Sequence, residues 1–152
     1  MKVLAILQNQ WFRDPDHVRE ILARTPKARR RIIHYSLFAG CRTGRVLKEA
    51  LGEEWCRKII WEEASPEIGG KASSCFRADT RHILDVIVDV QPTVILALGK
   101  IASDAVNSLC PIHRRGPPAT IINVIFATHP TARGVDTLRL LRDVRALLDK
   151  LA

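Results

Sequence analysis

Residues 93–109 read TVILALGKIASDAVNSL. The first six, TVILAL, are apolar and rich in β-branched side chains, the composition of a strand buried on both faces. Gly99 ends the run, and the chain turns into the helix KIASDAVNSL. The same alternation extends in both directions. Upstream, RADTRHILDVIVDV carries apolar residues at helical spacing, Ile83, Val86, Ile87 and Val90, and Pro92 stops it. Downstream, TIINVIFAT (120–128) reads as a strand that ends at His129-Pro130-Thr131. The final stretch DTLRLLRDVRALLDKLA has an apolar stripe at Leu138, Leu141, Val144, Leu147, Leu148 and Leu151.

The N-terminal half repeats the theme. KVLAIL (2–7) is a buried strand pattern closed by Gln8-Asn9-Gln10. Asp14-Pro15 supplies an N-cap and a first-turn proline for the helix DHVREILAR. Thr43-Gly44 leads into RVLKEAL, with Gly52 as its stop. RKIIWEE (57–63) is a short strand, and residues 64–74, with Pro66, Gly69 and Gly70, form a loop. Strand and helix alternate throughout, which predicts an α/β fold of three layers, α/β/α, around a mostly parallel sheet. The 152 residues form one domain, 1–152. In such a sheet ligands bind beyond the carboxyl ends of the strands. That rule selects Gln8–Phe12, the residues after Trp61, the Gly99 turn and Thr128–Arg133.

Composition narrows the function classes. Hydrophobic residues at 47% and charged residues at 26% exclude a disordered chain. No apolar run approaches the ~18 residues that cross a bilayer, so no membrane partner is expected. The few apolar residues before Gln8 are too short for a signal-peptide core, which leaves a cytoplasmic expectation. Twenty-four Lys and Arg against sixteen Asp and Glu give a net charge of +8, the balance of a polyanion binder. Cys41, Cys56, Cys75 and Cys110 form no CxxC pair, and five histidines show no metal-ligand spacing. No metal and no cofactor are expected. Gly99-Lys100 is not a phosphate-binding loop, because Val94 stands where that loop needs its first glycine.

Four segments remain, in order: Gln8-Asn9-Gln10-Trp11-Phe12 after the first strand, Phe38-Ala39-Gly40-Cys41-Arg42-Thr43-Gly44, Leu98-Gly99-Lys100, and His129-Pro130-Thr131 after the last strand. This order and spacing resemble the uracil-DNA glycosylase superfamily over nearly the whole chain. His-Pro-Thr matches the family's His-Pro-Ser/Thr motif. The Phe38 segment matches Phe-x-Gly-x-x-Gly in part, with one more residue between its glycines. The first segment keeps Gln8-Asn9 but has Leu7 and Gln10 where the family has Gly and Pro.

The resemblance implies a monofunctional DNA glycosylase of base excision repair, a hydrolase that cleaves the N-glycosidic bond of a flipped-out uracil or other deaminated or damaged base. It implies His129 as the donor to the departing base and Asn9 as the residue that positions water. Phe38 would stack on the base, Gln8 would bond its edge, and Trp11 and Trp61 would adjoin it. Arg133 and Thr131 would meet DNA after the last strand. Arg29, Arg30 and Arg31 in KARRR, with Arg42, would meet phosphates. Monomer is the default for an enzyme approaching a long polymer.

The chain also departs from the family. Members read uracil with Asn or His near the tip of the middle strand, where this chain has Ile59-Ile60-Trp61-Glu62-Glu63. An acid or an indole there is not expected to replace an amide's paired donor and acceptor, so uracil specificity is not implied. The cysteines of the family's iron–sulfur branches are not matched, so no cluster is expected. Two alternatives stay open: a catalytically inactive glycosylase-like domain that binds DNA or a nucleotide, and an unrelated nucleotide-binding α/β domain.

Overall fold

The computed structural model describes residues 1–8, 10–11, 25–69, 77–113 and 122–152. Its elements run β1 (Val3–Leu7), β2 (Gln10–Trp11), α1 (Pro26–Phe38), α2 (Arg42–Leu51), α3 (Glu53–Lys58), β3 (Ile60–Glu63), β4 (Ile68–Gly69), α4 (Thr80–Val90), β5 (Val94–Leu98), α5 (Lys100–His113), β6 (Asn123–Ala127) and α6 (Thr137–Leu151). Four strands form one all-parallel sheet in the order β3-β1-β5-β6. Helices cover both faces, so the fold is three-layer α/β/α.

The central strands explain their own sequence. β1 and β5 are buried at every position, because each has a helix layer on both faces. Val3, Ala5, Leu7, Leu96 and Leu98 pack toward Ile33, Leu47, Leu141 and Leu148 on one side. Leu4, Ile6, Ile95 and Ala97 pack toward Ile83, Val86, Ala102 and Val106 on the other. Strand order reverses between β1 and β5, which places the ligand crevice of such sheets beyond their carboxyl ends.

Helix termini follow local chemistry. Asp79 and Asp136 cap α4 and α6 by accepting from the backbone N–H groups of His82 and Arg139. In α6 only Leu141, Val144 and Leu148 of the apolar stripe are buried, whereas Leu147 and Leu151 are exposed. Three elements escaped the sequence reading. The basic stretch KARRR belongs to α1, whose start is marked by Thr25 capping the Ala28 N–H and by Pro26 in the first turn. Arg57 and Lys58, taken as strand, end α3. Within the expected loop, Ile68–Gly69 pairs in parallel with Gln10–Trp11. The expected helix DHVREILAR lies outside the described residues.

α1 and α2 meet at Gly44, where a Cβ would stand 1.8 Å from the Leu37 carbonyl oxygen. Gly-to-Ala in a helix ordinarily stabilises by up to about 1 kcal/mol. Here Gly44→Ala is expected to reverse that sign and cost about 2–4 kcal/mol, because backbone cannot yield as a side chain can. Urea unfolding of the two proteins checks it.

Candidate functional site

His129 follows the end of β6, and the chain turns back at once, with the Ala132 N–H donating to the His129 carbonyl at 2.9 Å. Pro130 is buried beneath this turn. The turn aims two donors at the ring: the Thr131 backbone N–H at 3.2 Å and the Thr131 hydroxyl at 3.0 Å both meet Nδ1. A backbone N–H can only donate, so Nδ1 is the acceptor and the neutral imidazole carries its proton on Nε2. Burial holds the His129 pKa below its ordinary value. The ring is therefore a neutral Nε2–H donor at pH 7.

The neighbouring strand end is shaped to admit it. Gly99 has φ +92°, a left-handed conformation, and a Cβ there would lie 3.0 Å from the Cβ of His129. A cleft of about 530 Å³ opens beside the histidine, lined among others by Gly99, Ser103, Thr128, His129 and Leu140. Its walls come from β6, the first turn of α5 and α6.

A second polar cluster stands at the tip of β3, on the far side of β1. Glu62 and Glu63 oppose Ile6 and Leu7, the last residues of β1, and are only 2% and 5% exposed. Glu62 accepts from Arg29 Nε at 3.0 Å, while the same guanidinium donates to the carbonyls of Ser65 and Pro66, each at 3.2 Å. His82 Nε2 is 3.7 Å from Glu62. Burial alone would raise Glu62, but the His82 side chain, the Arg29 charge and the Glu63 N–H together draw it below the ordinary carboxylate value. Glu63 goes the other way. Burial first, then the ionised Glu62, push it up to about 8, against an opposing pull from Arg29. Its Oε2 is buried and meets no hydrogen-bond partner among the described residues.

The remaining expected residues divide. Trp61 cannot adjoin a ligand as expected: it is 1% exposed, donates from Nε1 to the Cys56 carbonyl at 2.9 Å and meets Phe38 edge-on at 5.4 Å. Alternation along β3 turns it into the apolar layer under α1. Phe38 is half-buried, with the Lys48 ammonium 5.8 Å over its ring and His34 at 5.0 Å. Arg29 is occupied by Glu62 and two carbonyls rather than turned to a phosphate, since a buried carboxylate needs a partner. Arg30 bonds Asp89 of α4 at 2.7 Å. Arg31, Arg42 and Arg133 are exposed. Gln8 is half-buried at the end of β1, while Asn9 and the Trp11 side chain lie outside the described residues.

Sequence reading missed Glu63, and only the adjacent pair of acids at an apolar strand's end could have marked it. Among the described residues no three His, Cys, Asp or Glu side chains gather as a metal site, and no helix is long and apolar enough to cross a membrane. No family model, curated protein or solved structure matches the chain.

Glu63 makes stability depend on pH in a definite direction. The native state keeps a proton that the unfolded chain releases between about pH 4.5 and 8, so stability falls as pH rises through that window. The loss is on the order of 3 kcal/mol. Glu62 works below that window, because its lowered pKa withdraws stability only as pH falls. The buried histidines act in the opposite direction, so the wild type minus Glu63→Gln difference isolates the group. That difference, from urea unfolding, should move in favour of the variant between pH 5 and 8.

Proposed function

We propose that this domain is DNA glycosylase-like and hydrolyses the N-glycosidic bond of a flipped-out uracil or other deaminated or damaged base. The observation that carries the reading is the neutral His129, fixed by Thr131 with its Nε2–H available, at a parallel strand's carboxyl end beside a cleft. Loss of a base passes through an oxocarbenium-like state in which negative charge gathers on the departing ring. A positioned neutral donor stabilises that charge as it forms and leaves the ground state little changed. Asn9, just beyond the centrally placed β1, is assigned the task of holding the attacking water. The net charge of +8 and the exposed Arg31, Arg42 and Arg133 suit a polyanionic substrate.

The occupied face of Phe38 and the buried Trp61 favour a second reading, a domain that binds DNA or a nucleotide without cleaving it. Oligonucleotides carrying uracil, hypoxanthine, xanthine or mismatched thymine, treated with alkali after incubation, separate the two. Strand breaks at any of these bases support the glycosylase, and binding without breaks selects the second reading.

His129→Ala is expected to slow single-turnover cleavage by roughly 10²–10³. Because the neutral ring is the working form, wild-type cleavage should decline only as pH falls below about 6.5, and the variant should lose that limb. Full activity in the variant would make His129 structural.

Arg133 is exposed four residues after the histidine, beside Gly134 at φ +77°. As a wedge replacing an extruded base, it should matter on paired DNA. Arg133→Ala is expected to reduce cleavage of duplex more than of single strands, where no paired stack is opened. Equal losses on both substrates would remove that role.

A further inference from the structure

We propose that Glu63 recognises the ligand of the strand-end crevice, its carboxylic acid donating to a carbonyl and accepting from the ring N–H on the lactam edge of a nucleobase. This rests on the glycosylase reading and names its substrate class: bases, such as uracil and hypoxanthine, whose edge carries C=O beside N–H. Glu63 is the last residue of β3, at the level where β1 ends. Its Oε2 is buried without a partner among the described residues, an arrangement that native proteins rarely keep without use.

Placement suits a base held between two side chains. The order β3-β1-β5-β6 puts the tips bearing Glu63 and His129 three strand spacings apart, about 14 Å. The two side chains reaching inward leave room for one planar ring. His129 would meet the side where charge gathers, and Glu63 the opposite edge.

The protonation state decides what Glu63 can hold. An ionised carboxylate only accepts and would repel a lactam carbonyl, whereas the neutral acid has one O–H to donate and one oxygen to accept. The groups that set this state come from three elements. Glu62 of β3 contributes a negative charge, Arg29 of α1 is engaged with Glu62, and His82 of α4 also faces Glu62. With burial they keep Glu63 neutral up to about pH 8. The acid thus supplies the paired donor and acceptor that its sequence identity was not expected to provide.

The test titrates free uracil and hypoxanthine into the full chain, as wild type, E63Q and E63A, by calorimetry from pH 6 to 9.5. Wild-type affinity should fall roughly tenfold as Glu63 ionises above about pH 8. E63Q, a permanent amide, should bind without that additional loss, the ligand's own titration being common to both. E63A, shown folded by circular dichroism, should bind at least roughly tenfold more weakly at every pH. In infrared difference spectra of wild type against E63Q at pH 7, the protonated-acid band should shift when base is added. Identical pH profiles for wild type and E63Q, undiminished binding by folded E63A, or a band unmoved by saturating base overturn the proposal and leave DNA cleavage untouched. Absence of both base binding and oligonucleotide cleavage in the wild type overturns it together with the reading beneath it.

Discussion

A charged carboxylate at the tip of an edge strand, 2% exposed, has to be answered by a cation, and Arg29 answers Glu62. Much of the architecture at that end follows. Arg29 starts from α1, whose Ile33 and Leu37 pack on one face of the sheet, yet Glu62 and its neighbour His82 belong to the α4 side. The guanidinium therefore passes round the β3 edge, and the Arg30–Asp89 pair makes the same crossing one residue later. The bonds from Arg29 to the Ser65 and Pro66 carbonyls fasten the chain leaving β3. An edge strand so covered offers little for another strand to pair with. Removing the arginine alone would strand a buried charge, a far larger cost than the pair is worth.

The same pair sets the chemistry next door. One ionised glutamate makes a second expensive, so the two carboxyl groups settle in opposite protonation states although they are adjacent in sequence. At the other end of the sheet the histidine is tuned by different means. Burial and two donors on Nδ1 keep it neutral, and Gly99 gives it room. Both strand tips therefore offer uncharged hydrogen-bonding groups in a protein of strong net positive charge.

Elements with continuous or periodic apolar patterns were legible in the sequence: β1, β5, α4 and α6 lie within about two residues of their expected bounds. α1 was not, because only Ile33 and Leu37 of its thirteen residues are buried and the charges hide so thin a stripe. His129 was legible from its place after a strand. The fate of Trp61 was not, because which face a strand residue takes depends on register with β1, which the chain itself does not print. Nor was the fate of Arg29, whose partners stand 33 to 37 residues away.

The sheet order also governs how the molecule is assembled. β1 occupies an interior position, with Leu4 between Ile60 on one side and Ile95 on the other, and Lys2 bonds Thr93 across a separation of 91 residues. No neighbour of β1 in this sheet is close in sequence, so none of its ladder forms by local zippering, and loop-closure entropy must be met first. During synthesis its apolar run emerges early and waits exposed until β5 has followed it. The strand made first is among the last to be enclosed, which makes this short segment the stretch most dependent on rapid completion of the rest.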